Sequence, residues 1–186
     1  MKKCAVCFLC LLLFSGCSKQ PEEIKAGMEL RSKLLQAESC SFETEIIADY
    51  GDKIHTFLMH CIIDSAGDIS FTVIEPASIS GISGKLTEEG GKLTFDETAL
   101  HFDLMAEGQL SPISAPWILM RTLRKGYITS VCRENHAIRL SLDDSFNEIP
   151  LHLDIWLDSE NNPKQADILY DGKRILSLNV INFEIL

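Results

Sequence analysis

"VIEPASISGISGKLTEEGGKLTF", residues 73–95, places two turn signals within a short distance of each other. Gly81-Ile82-Ser83-Gly84 and Glu88 to Gly91 break the chain into runs too short for a stable helix, around Leu86 and Leu93. Glu75-Pro76 closes the run before them, and Asp96-Glu97 and Gly108 continue the punctuation after them. Turn residues recurring at such intervals predict three or four short antiparallel strands in this region.

The same period extends in both directions. From Ser41, Phe42, Thr44, Ile46 and Ala48 alternate with Glu43, Glu45 and Asp49 until Tyr50-Gly51-Asp52 turns the chain. The run from Lys53 to Asp64 ends at Ser65-Ala66-Gly67-Asp68, after which Ile69, Phe71 and Val73 continue the alternation. Beyond residue 125, further strands are predicted over Tyr127–Arg133, His136–Leu142, Ile149–Asp158, Lys164–Tyr170 and Arg174–Glu184. Asn161-Asn162-Pro163 and Asp171-Gly172 supply hairpin signals between the last three. About eleven strands result.

Two helices interrupt this pattern. Pro21, a favoured first helical residue, and Glu22 and Glu23, suited to the positive end of a helix dipole, open a helix over 21–38. Its apolar stripe is read as Ile24, Met28 and Leu35, flanked by Leu30 and Leu34, with Lys25, Glu29, Arg31 and Lys33 on the remainder. Ser114-Ala115-Pro116 starts a second helix that runs from Trp117 to Lys125 and stops at Gly126. At about 100° per residue, Leu119, Met120 and Leu123 share the face expected to plug the sheet. Trp117 then falls toward Arg121, Arg124 and Lys125, which together make a candidate membrane or partner face. The fold class is α+β and mainly β: a curved antiparallel half-barrel of about eleven strands around an N-terminal helix and a short mid-chain plug helix.

A helix, about six strands, a helical interruption and about five more strands, together with the stretch quoted above, resemble the LolA/LolB-type half-barrel of bacterial lipoprotein carriers and related lipoproteins. The resemblance spans residues 21–186. It implies an incomplete curved sheet wrapped around a hydrophobic cavity with helices as a lid, and a bound acyl chain, other lipid or lipoprotein client. The concave face expected to pack on the helices and line that cavity comprises Phe42, Ile46, Phe57, Met59, Phe71, Val73, Phe95 and Phe102, with Leu119, Met120 and Leu123 from the plug helix. The alternative is a core filled by its own side chains in a non-catalytic scaffold or protein-interaction lipoprotein.

The N-terminal segment reads as a targeting signal. Lys2 and Lys3 precede an apolar run from Cys4 to Phe14, too short for a comfortable permanent span, and Ser15-Gly16 follow. Cys4, Cys7 and Cys10 are spaced like a metal or redox motif, but no polar neighbour is present to hold thiolates around an ion. Phe14-Ser15-Gly16-Cys17 resembles the lipobox of bacterial lipoproteins, with Phe where Leu is usual. That resemblance implies removal of residues 1–16, acylation of Cys17 by palmitate-like chains, and a short tether over 17–20. The protein is then expected in the cell envelope, lipid-anchored on the extracytoplasmic face of the cytoplasmic membrane or in the outer membrane.

Removing 16 of the 186 residues leaves a chain of 170, the size of a single domain. The loss of Lys2 and Lys3 leaves 15 basic against 27 acidic residues, a formal charge of −12. Such a charge opposes nucleic-acid binding. Cys40, Cys61 and Cys132 remain, an odd number that cannot pair completely, and all three are expected to be reduced.

Catalytic signatures are missing from the sequence. Ser83 lies in Gly-Ile-Ser-Gly, which lacks the spacing of the nucleophile elbow, and no S-x-x-K, H-E-x-x-H, P-loop or G-x-G-x-x-G occurs. His55, His60, His101, His136 and His152 do not cluster along the chain. Asp96-Glu97 and Asp143-Asp144 lie at turn signals without calcium-loop spacing. No enzymatic activity, metal or cofactor is expected.

Overall fold

The computed structural model describes residues 22–51, 53–95, 98–102, 105–106, 109–146 and 149–186. Helix α1, Glu22–Gln36, leads into β1 (Ser39–Asp49), β2 (Ile54–Asp64), β3 (Ile69–Glu75), β4 (Ser83–Thr87), β5 (Gly90–Phe95) and β6 (Thr98–Phe102). A small hairpin, β7 (Met105–Ala106) and β8 (Gln109–Leu110), and a 3-10 turn at Pro112–Ser114 precede helix α2, Ala115–Lys125. The chain ends with β9 (Tyr127–Glu134), β10 (Ala137–Phe146), β11 (Ile149–Leu157), β12 (Pro163–Tyr170) and β13 (Lys173–Ile185).

Eleven strands form one open antiparallel sheet in the order β6-β5-β4-β3-β2-β1-β13-β12-β11-β10-β9, as the alternation predicts, and β7–β8 stands apart from it. The strand nearest the N-terminus and the last strand meet at its centre, with Cys40 opposite Ile185 and Ala48 opposite Leu176. Outward from that pair, each strand is joined to the next by a turn or loop. Asp171 and Gly172 both have positive φ, 49° and 71°, as a two-residue turn matched to strand twist requires.

Period-two alternation decides which side of the sheet is buried. On β1, Cys40, Phe42, Thr44, Ile46 and Ala48 are buried, while Ser41, Glu43, Glu45 and Ile47 face outward. A single sheet layer must cover its apolar side, and α1 and α2 lie on it.

The buried face of α1 differs from the expected stripe. Ala26, Gly27, Leu30 and Leu34 are buried, whereas Met28 and Leu35 are 49% and 54% exposed. The cause is proximity: a Cβ placed on Gly27 would lie 2.9 Å from Leu140 Cδ2 on β10. At that separation small residues face the sheet, and the longer Met28 and Leu35 are left on the outside.

Candidate functional site

The residues expected to line a cavity do come together on the concave side, but as packed core. Phe42, Ile46, Met59, Phe71 and Val73 are at most 3% exposed, as are Leu119, Met120 and Leu123 of α2. These side chains face one another and the two helices as one buried apolar cluster. The cover comes from both helices, since α1 contributes Leu30 and Leu34 and α2 buries eight of its eleven residues. Phe57 is half-buried at the rim, where it stacks on His55 with ring centroids 6.3 Å apart. The side chains of Phe95 and Phe102 lie outside the described residues.

Helix α2 also departs from the amphipathic reading. Trp117 and Ile118 are 1% and 2% exposed, not turned outward. The reason is that α2 bridges two parts of the sheet that lie far apart in strand order. Toward β10, Arg121 lies over the Trp117 ring at 5.6 Å and pairs with Asp144, while the Thr122 hydroxyl donates to the same carboxylate at 2.9 Å. Toward the other side, Arg124 donates to the carbonyl of Ser65 at 2.6 Å in the β2–β3 turn, and Lys125 pairs with Glu88 at 2.5 Å in the β4–β5 turn. Trp117, Arg121, Arg124 and Lys125, read as a membrane or partner face, are thus engaged with the protein itself, although Lys125 remains largely exposed.

The concave side reaches solvent at a groove of about 570 Å³ between the β1–β2 and β12–β13 turns. Tyr50, Leu110, Tyr170 and Ile175 supply its apolar walls. The Tyr50 hydroxyl donates to the Leu110 carbonyl at 3.1 Å, fastening the segment before α2 to the tip of β1. Burial pushes the Tyr50 phenol above its ordinary value, so the donor stays protonated. Lys173 and Arg174 bring positive charge to the rim, and Arg174 is tethered to Asp167 at 3.3 Å. Of the groove, sequence reading identified the Tyr50-Gly51 and Asp171-Gly172 turns. It did not identify their meeting, which depends on the central β1–β13 pair.

A polar row on the outer face of β10 and β11 also escaped the sequence. Ser141 donates to Asp154 at 2.6 Å, and His152 holds Asp143 at 2.7 Å through Nδ1 with Nε2 3.6 Å from Asp154. The carboxylate lies between serine and histidine. A serine nucleophile needs the imidazole as its immediate proton acceptor, and that order is not present here. Among the described residues, no group of three or more His, Cys, Asp or Glu is arranged to hold a metal ion. Cys40, Cys61 and Cys132 are free thiols.

Comparison of the sequence with protein-family models and with curated proteins gives no match. Among solved structures, the chain is similar to a LolA superfamily protein from Nitrosomonas europaea, with 9% identity over 86% of this chain and 93% of that one and a TM-score of 0.47. A domain described as an outer membrane lipoprotein-sorting protein from Vibrio parahaemolyticus matches with 10% identity over 87% and 91%, with a TM-score of 0.49. A chain in the complex of the CwlD amidase from Clostridioides difficile with the GerS lipoprotein matches with 11% identity over 91% and 99%, with a TM-score of 0.45. These likenesses concern the chain path and supply no site residue.

Proposed function

We propose that this chain is a lipid-anchored, non-catalytic protein of the cell envelope that holds the apolar part of an amphiphile in the groove between Tyr50, Leu110, Tyr170 and Ile175. The observation that carries this reading is the groove itself, about 570 Å³ and apolar-walled, where the buried Leu110 meets Tyr50, Tyr170 and Ile175 at the surface. Its volume is in the range of small-molecule sites, about 300–1,000 Å³. The ligand expected from the half-barrel resemblance is thereby moved from the concave face to its mouth. Cys17 is the anchor in this reading, and residues 1–16 are removed.

The test is titration of an acyl-chain fluorophore into the full chain in mild detergent, alongside native mass spectrometry for co-purified lipid. Saturable binding that Leu110→Asp and Ile175→Asp abolish supports the proposal. Cys17→Ala should release the protein from membranes, and a variant that is processed and fractionates like the parent contradicts the anchor. The packing of the concave face favours a second reading, a scaffold or protein-interaction lipoprotein, which the absence of saturable fluorophore binding at micromolar protein would select.

A further inference from the structure

On the outer face of β4 and β5, two lysines stand directly opposite one another. Lys85 on β4 pairs in register with Lys92 on β5, and Lys92 with His101 on β6. Neighbouring strands lie about 4.8 Å apart, and like charges facing each other at that spacing repel. Asp68 offsets part of the repulsion through its ion pair with Lys85 at 2.8 Å. Among the described residues, no carboxylate forms an ion pair with Lys92 or His101. On a chain of formal charge −10, such a row stands out.

A second row runs beside the first. Thr72, Ser83 and Thr94 are register partners on β3, β4 and β5, continued on β2 by His60. Two shallow grooves, of about 440 and 460 Å³, flank the lysines; Lys85 and Lys92 line both, and Glu89 also lines the first, so an anion is expected to favour the second. The face therefore offers parallel tracks across the strands, one cationic and one of hydroxyls that both donate and accept.

We propose that this face binds an anionic glycan, a chain of sugar units carrying carboxylate, sulfate or phosphate groups, laid across β2–β6. The lysines meet the acidic groups and the threonine and serine hydroxyls meet the sugar hydroxyls. A single small anion would occupy one end of the track and leave the hydroxyl row unused. The face is separate from the groove at Tyr50 and does not depend on it.

The probe is a heparin-derived hexasaccharide, titrated into the full chain in nonionic detergent. Saturable binding is expected, weakened about tenfold by Lys85→Gln with Lys92→Gln and measurably by Ser83→Ala with Thr94→Val. Both double variants should keep a cooperative thermal transition, which separates loss of binding from loss of fold. Lys173→Gln, at the other groove, should leave binding unchanged. The proposal is overturned if the lysine variant binds like the parent, if Lys173→Gln is the substitution that weakens binding, or if inorganic tripolyphosphate at matched charge competes as well as the hexasaccharide. Displacement of the hexasaccharide by phosphatidylglycerol vesicles at matched charge, showing a membrane surface as the better ligand, overturns it as well.

Discussion

Arg31 of helix α1 caps the C-terminus of helix α2, its Nε donating to the Leu123 carbonyl at 2.7 Å and its Nη2 to the Gly126 carbonyl at 2.6 Å. The last carbonyls of a helix have no partner within it, and a cation there also complements the dipole. The two helices are thus joined by a polar clamp over an apolar core.

Arg31→Ala should cost about 1.5–3 kcal/mol of stability, the range for hydrogen bonds to a charged group. Urea denaturation measures the loss, and amide exchange should accelerate first around Leu123–Gly126. Arg31→Lys should recover little, because an ammonium does not reproduce the planar fork that reaches two carbonyls. A lysine variant as stable as the parent would show that charge, not geometry, makes the clamp.

Trp117, buried and under Arg121, should emit as a tryptophan in an apolar setting. In a Trp156→Phe background its spectrum should not move when anionic vesicles are added to the folded domain. A shift on vesicle addition would mean that α2 leaves the sheet at the membrane surface, and the lid reading would return.

Gly84→Ala should destabilise by about 1–3 kcal/mol, as overpacking does. A Cβ there would clash with the Lys92 carbonyl oxygen and lie 2.7 Å from the Phe71 ring, and a backbone oxygen held in the β4–β5 pairing has nowhere to retreat. The shift in urea midpoint checks the magnitude. Pairing the change with Phe71→Leu should restore only part of the loss, since the carbonyl clash remains.

Burial pushes the Cys61 thiol far above its ordinary 9.0, and burial moves Cys40 the same way against a smaller opposing pull from Arg124. A raised value in the folded state favours the neutral thiol. The contribution is therefore complete below the unfolded thiol's value and is lost as pH climbs through the alkaline range. Urea midpoints should hold steady up to about pH 8 and fall above about pH 9. Cys61→Ala should flatten that fall. In the native state Cys132, which is partly exposed, should alkylate first, with Cys40 and Cys61 reacting at the rate of unfolding. Equal labelling of all three thiols contradicts the assignment.

Strands were legible because their signal is local. Phe42, Thr44, Ile46 and Ala48 alternate with charged neighbours, and Asp171-Gly172 states its turn type in two residues. Helix faces were less so. Met28 and Leu35 are more apolar than Ala26 and Gly27, yet close approach to Leu140 selects the small residues. Trp117, Arg121 and Arg124 looked outward because Asp144 and Ser65, whose oxygens engage the two arginines, lie 23 and 59 positions away in sequence. The groove is harder still, since its two turns come from opposite ends of the domain and share no sequence pattern.

The pairing of β1 with β13 has a consequence for how the domain comes into being. Cys40 finds its neighbour at Ile185, and the Leu186 carbonyl accepts the amides of Glu38 and Ser39. A chain delivered N-terminus first, whether from a ribosome or through a secretion channel, cannot join the middle of its sheet until its last strand arrives. Until then β1 waits with one edge unpaired while β2–β6 accumulate on its other side. Contacts so distant along the chain slow folding, and an unpaired edge invites foreign strands. The interval between the emergence of Ser39 and that of Ile185 is when this protein is most in need of a chaperone.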